Sequence, residues 1–338
     1  MKSHVGLFVV MLCVGSVMGQ DPQFTQFYAA PLYLNPAFAG ATFQNRIVFN
    51  NRYQWVGLPR AYVTYATSFD HNFDKLNSGV GVIALVDRSG TGYLTSTTFG
   101  AIYAYKFNLT SRWVVRTGLQ FSYASRNIDF YKLTFGDQLD KSGVNNIVSA
   151  EQFDKYGRKS YFDFNSGIVI HSATHWIGFT ARHLNQPDQS LMGGDTKSNL
   201  PIYYSIHGGT KIFLDQHKLK KSYGTQREKS ITPTFLYKGQ GDFHQLDLGM
   251  YVYLEPLVIG LWYRGIPVTK TTYDAVAVLL GLKWESFTVG YSYDLTVSRL
   301  NPSNTAGSHE ISLSVNFPRK AKPAKKRRKD YVIPCPKF

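Results

Sequence analysis

The stretch "SFTVGYSYDLT", Ser286 to Thr296, sets Phe287, Val289, Tyr291, Tyr293 and Leu295 on one face of an extended chain. Ser286, Thr288, Gly290, Ser292 and Asp294 fall on the other. Side chains alternate across a strand, so this is a strand with one apolar side and one small, polar side. "HEISLSVNF" repeats the pattern, with Ile311, Leu313, Val315 and Phe317 opposing Glu310, Ser312, Ser314 and Asn316. So does "WVVRTGLQFSY", with Trp113, Val115, Thr117, Leu119, Phe121 and Tyr123 against Val114, Arg116, Gly118, Gln120 and Ser122. A soluble sandwich gives the same alternation, but these segments run about 9 to 11 residues, the length a tilted membrane strand needs. Soluble strands average about 5 to 6.

Fourteen such segments can be read, near residues 45–52, 60–69, 79–87, 95–107, 112–123, 161–170, 175–183, 202–213, 230–237, 244–253, 256–264, 273–282, 285–294 and 308–317. The expected fold is all-β: a transmembrane antiparallel barrel of about 14 strands. An even count returns both chain ends to the periplasmic side. Loop lengths give a second, independent signal, because barrels of this kind have short periplasmic turns and long outer loops. "NLTS" at Asn108, "HSAT" at His171, "LEP" at Leu254 and "KWES" at Lys283 fit turns, while Ala124 to Ser160, Leu184 to Pro201 and Thr296 to Gly307 fit outer loops. Two connections break the parity. Leu214 to Ser230 is long for a turn, and "KGQGD" at Lys238 is short for an outer loop. Aromatic residues make up 15% of the chain, which suits interfacial girdles.

Residues 1–19 read as a signal peptide, with Lys2 as the positive end, Val5 to Val17 as the apolar run and Gly19 as the small residue before the cut. Cys13 lies in that run, so Cys335 is the single cysteine of the mature chain and no internal disulfide is expected. Residues 20–44 follow as a separate box, "QDPQFTQFYAAPLYLNPAFAG" and onward. Its prolines break a helix and its pattern is not a strand's. Phe24, Phe27, Tyr28, Tyr33 and Phe38 supply rings, while Asn35, Pro36 and Gly40 supply turn chemistry. The box is expected at the periplasmic mouth of the barrel, as a plug, a partner surface or a folded lead-in.

Residues 45–317 form the barrel, and 318–338 form a basic tail. Residues 319 to 338 hold nine Lys or Arg against one Asp, much of the chain's net charge of +15. Lys325, Lys326, Arg327, Arg328 and Lys329 are its densest run. This composition suits a solvated tail, anionic lipid headgroups or an acidic periplasmic partner, and export argues against nucleic acid. The tail ends in the apolar "YVIPCPKF", with Cys335 and Phe338, in the manner of a short docking peptide.

No catalytic constellation stands out. "HE" at His309 lacks the second histidine of a zinc helix, since Leu313 holds that place. "GVGVIA" at Gly79 lies in a strand pattern, so glycine packing explains it better than a dinucleotide loop. His171 and His175 flank a turn without further ligands. No enzyme activity, cofactor or metal is expected.

The box with its Y-x-x-P-L-Y-L-N-P-A-x-A-G spacing, Tyr28 to Gly40, "RYQW" at Arg52, "GSHEISL" at Gly307 and the terminal "CPKF" together resemble the PorP/SprF family, Bacteroidetes outer-membrane proteins associated with type IX secretion. The chain departs from relatives in "QWVG", Gln54 to Gly57, where many have proline after Gln-Trp, and in the longer Leu214 to Ser230 segment. The resemblance implies a barrel that binds or anchors a secreted surface protein, such as a gliding adhesin with a C-terminal sorting domain. Alternatively, it implies a structural part of the secretion machine linked to periplasmic or outer-membrane lipoproteins. A solute channel is a third reading, opposed by an obstructing box.

Overall fold

A computed structural model describes residues 21–42, 45–58, 61–90, 94–130, 133–140, 143–144, 149, 157–191, 197–214, 228–265, 273–284, 286–298, 305–317 and 333–336. Fourteen long strands form one closed antiparallel barrel. They are β1 (Asn45–Gln54), β2 (Tyr62–Phe73), β3 (Ser78–Ser89), β4 (Leu94–Asn108), β5 (Val114–Asn127), β6 (Arg158–His171), β7 (His175–Arg182), β8 (Tyr203–Thr210), β9 (Lys229–Gln240), β10 (Phe243–Leu254), β11 (Leu257–Gly265), β12 (Tyr273–Lys283), β13 (Phe287–Thr296) and β14 (Ser308–Phe317). Each pairs with its chain neighbours. The barrel closes where β1 meets β14, from Asn45 opposite Phe317 to Gln54 opposite Ser308.

The outward faces carry the apolar set. On β13, Thr288, Gly290, Ser292, Asp294 and Thr296 are buried, while Phe287, Val289, Tyr291 and Leu295 are exposed. β14 and β5 repeat this, with Ile311, Leu313, Leu119 and Phe121 outside. A sandwich would bury its apolar face. Here that face points away from the protein on strands all round the barrel, which suits hydrocarbon as the surrounding solvent. Exposed Phe73, Phe107, Trp113, Trp284, Phe287 and Phe317 lie at the end with the short turns, the position of an interfacial girdle. No helix among the described residues is long and apolar enough to cross a membrane.

The parity of the connections follows the expected scheme, exceptions included. The connections that follow β2, β4, β6, β10 and β12 are short and lie at one end, with Asn77 taking the left-handed conformation at φ 51°. The connections between β5 and β6, β7 and β8, and β13 and β14 are the long ones and leave from the other end. At Lys238 the outer connection is a two-residue hairpin turn over Gly241 and Asp242, with Gly241 at φ 57°. The long connection at the short-turn end begins with Ile212–Phe213, which pair with Ile231 and Ser230 of β9. β5 and β6 extend further than the alternation alone predicts, because their ladder continues to Asn127 opposite Arg158.

The box lies inside the barrel. Phe27–Ala29, Pro31–Leu34 and Pro36–Phe38 form three single helical turns, and Pro31 and Pro36 each occupy a first helical position. Proline's missing N–H costs nothing there, so each proline starts a turn and stops the preceding one. The box does not sit in the short-turn mouth as expected. Asp21 lies at the loop end and Gly40 at the short-turn end, so the segment runs the length of the lumen.

Candidate functional site

At the loop end the box is held by charge. The Asp21 carboxylate takes Nε2 of His183 at 2.8 Å and Nη1 of Arg182 at 3.2 Å, and its backbone N–H donates to Gln240 Oε1 at 3.0 Å. Nδ1 of His183 meets Asp163 Oδ1 at 3.0 Å, so two carboxylates flank one imidazole. Burial alone would pull His183 down, but Asp21 and the hydrogen bond to Asp163 push its pKa up to about 9. For Asp21, burial would raise the carboxyl, yet His183 and then Arg182 hold it well below the usual carboxylate range. The guanidinium of Arg182 lies 4.5 Å from the centre of the Tyr33 ring and 3.7 Å from that of Tyr203. Phe24 meets Tyr33 edge to face at 5.3 Å.

Below this, Thr25 and Gln26 enter a buried polar node on the seam. Both backbone N–H groups donate to the Glu310 carboxylate, at 2.7 and 3.0 Å. The Gln26 side chain donates to Glu310 O at 3.0 Å and Ser292 Oγ at 3.2 Å, and accepts from Ser312 Oγ at 2.6 Å. Arg52 donates to Thr25 Oγ1 and Asp294 at 2.7 Å each and to Glu310 at 3.2 Å; Arg264 reaches Asp294 at 2.9 Å and also Thr25 Oγ1. Two guanidinium groups thus balance two carboxylates, the condition for keeping such charges away from water. The three motifs at Gln26, Arg52 and Glu310, far apart in sequence, meet here.

The middle of the plug is apolar and aromatic. Phe27 packs edge to face on Trp262 at 4.8 Å, and Tyr28 on Trp176 at 5.8 Å, where the indole N–H donates to the Tyr28 hydroxyl at 2.9 Å. Such ring pairs contribute about 0.5–1.5 kcal/mol each beyond their area. Phe38 stacks obliquely on His207 at 5.6 Å. Asn35 is fully buried: its amide donates to Phe179 O at 3.0 Å and Ile168 O at 3.2 Å, and its Oδ1 accepts from Ala37 N at 2.9 Å, capping the turn that Pro36 begins.

At the short-turn end Arg116 donates to the carbonyls of Ala37 and Ala39, at 2.9 and 2.6 Å, and Asp70 accepts from Gly40 N and Arg46 Nε. The wall makes room with glycines. A Cβ on Gly118 would stand 2.4 Å from Ala37 N, and one on Gly79 would stand 2.1 Å from Ala39 O. Packing therefore accounts for "GVGVIA".

The structure brings Phe24, Phe27, Tyr28, Tyr33, Asn35, Pro36 and Phe38 together inside the lumen. Lys325, Lys326, Arg327, Arg328, Lys329 and Phe338 lie outside the described residues, whereas Cys335 is half-buried beside the apolar cluster of the plug. His175 Nδ1 lies 2.9 Å from Thr210 Oγ1, and no three metal-ligating side chains group together among the described residues. The wall residues Arg52, Arg116, Arg264 and Asp294 were not singled out as a site by sequence reasoning. Their signal is a charged residue on an inward face otherwise made of Ser, Thr and Gly. A cavity of about 560 Å³ remains at the loop end, lined by Asp21, Tyr33, Trp55, Asp87, Arg126 and Tyr161 among others.

Among solved structures the chain is similar to Omp33 of Acinetobacter baumannii, with 8% identity, TM-score 0.43 and coverage of 82% of this chain and 100% of that one. It is also similar to the toluene transporter TbuX of Ralstonia pickettii (10% identity, TM-score 0.47, 86% and 94% covered) and to a Pseudomonas aeruginosa FadL homologue (11%, 0.43, 86% and 94%). No curated protein matches the sequence. Residues 16–315 match the family described as type IX secretion system membrane protein PorP/SprF. With that match over most of its length, a closed fourteen-strand barrel and the family's motifs gathered on one plug, the chain belongs to the PorP/SprF family of outer-membrane proteins.

Proposed function

We propose that this barrel binds or anchors type IX secretion cargo, such as a large surface or gliding adhesin with a C-terminal sorting domain, at the cell surface. The observation that carries the reading is the occupied lumen: the chain's own residues 21–41 run from one end to the other, fixed at both. A barrel filled by its own chain is suited to holding a partner at its loops rather than to passing solute, which argues against the channel reading. PorP/SprF barrels are not enzymes, and the aromatic and charged groups of the plug are used in holding it.

Taken with its short turns toward the periplasm, as in bacterial barrels generally, the molecule would turn its long loops and the 560 Å³ cavity outward. Phe317 and Ile333 would then lie at the periplasmic mouth, near lipoprotein components of the secretion machine. Asp21 would lie at the outer end of the lumen and Gly40 at its periplasmic end. The outward apolar faces meet outer-membrane lipid.

Purification of the tagged protein from its native outer membrane in mild detergent, with identification of what accompanies it, tests the proposal. Recovery of a surface protein with a C-terminal sorting domain is the expected result. Lipoproteins alone would replace the anchor with a structural component of the machine, and a barrel recovered with neither would reject both.

A further inference from the structure

The tail does not end free of the barrel. Ile333 is 97% buried, at 3% exposure, and belongs to the same apolar cluster as Tyr28, Tyr251 and Val258 in the lumen. Cys335 packs against that cluster, and Pro334 and Pro336 hold the peptide extended on either side. Together the four residues wall a cavity of about 210 Å³ at the short-turn end, with Ser230, Thr232, Tyr253 and Lys283 opposite. From sequence, this apolar ending after a long cationic run reads as a short docking peptide.

We propose that the short-turn mouth carries a peptide-docking notch whose occupant is the chain's own Ile333–Pro336. The notch recognises one aliphatic side chain, inserted among Tyr28, Tyr251 and Val258, on a proline-stiffened backbone. Few rotatable bonds are frozen when such a peptide docks, so little ordering entropy opposes binding. Being part of the same chain, the peptide faces its notch at an effective concentration on the order of millimolar, as for short tethers. A free copy of the peptide, or a second molecule's tail, therefore competes poorly unless the resident tip is released. The notch needs neither cargo nor secretion machinery, so it stands apart from the anchor reading.

The test uses the full chain and Cys335, its single cysteine after the leader. In folded wild-type barrel, maleimide should label Cys335 at least tenfold more slowly than in an Ile333→Asp variant, whose tip cannot enter the notch. A fluorescent peptide of the sequence Tyr331–Phe338 should then bind the Ile333→Asp barrel and bind wild type at least tenfold more weakly. Heat-modifiable migration of both proteins checks that each barrel is folded. Equal labelling rates in the two proteins would overturn the docked tip, and failure of the peptide to bind the vacated barrel would overturn the notch. Peptide binding of equal strength to both would show a site elsewhere and reject this one.

Discussion

Arg52 on β1 and Glu310 on β14 face each other across the seam that closes the barrel, with Nη1 3.2 Å from the carboxylate. That same carboxylate accepts the backbone N–H groups of Thr25 and Gln26, so closure of the sheet and seating of the plug share one buried group. Removing either partner leaves the other's charge uncompensated. Arg52→Ala is predicted to cost about 3–5 kcal/mol, read as a fall in the urea midpoint of unfolding from lipid vesicles. A loss below about 1 kcal/mol would mean that the node does not hold the seam.

The wall glycines make a sharper prediction because the insult is a single methyl group. Gly118→Ala puts a Cβ into the backbone of Ala37, and neither element has a flexible side chain there to give way. The plug should loosen, and chymotrypsin should cut at Phe24 or Tyr28 in folded barrel. Thr117→Ala, one residue along on the outward face, should leave the box resistant. Equal resistance in the two variants would contradict the packing.

Proton linkage at the loop end has a defined direction. His183 is raised from 6.5 to about 9 by its carboxylate neighbours, so its contribution is whole below about pH 6.5 and is lost as the pH rises through about 9. Its upper bound is about 3 kcal/mol. At pH 7, His183→Gln should speed amide exchange of residues 21–25 at least tenfold, and at pH 10 variant and wild type should converge. A difference that stays constant with pH would exclude the imidazolium as the latch.

The outward face separates a membrane barrel from a soluble one. Leu119 is 62% exposed near the middle of β5, and Leu119→Arg there should cost about 2–4 kcal/mol of folding stability in bilayers. Leu76→Arg, in a short turn, should be nearly neutral. Equal effects in lipid would argue that Leu119 does not meet hydrocarbon.

Strand number and loop parity were legible because both follow from local rules: period-two alternation with apolar residues outside, and turns shorter at one end. The aromatic content of the box was legible for the same reason, since Phe27, Tyr28 and Phe38 are too apolar to be left in water. Its path was not. A segment without alternation gives no direction, and what draws it through the lumen is a set of single inward charges on different strands, Arg52, Arg116, Arg264, Asp294 and Glu310. Which of them meet depends on closure, a property of the whole sheet and of no one segment. The apolar end of the tail reads as a docking peptide, because hydrophobic residues after a charged run suit a bound segment, but such a pattern names no binder.

The central claim is that residues 21–41 plug the lumen, and single-channel recording in planar bilayers tests it most directly. Folded wild-type protein is predicted to insert without a steady open conductance, while the Arg52→Ala/Arg264→Ala variant, with its node dismantled, opens measurable steps and shows that insertion occurs. Steady conductance of the same size from wild type and variant would contradict the plug.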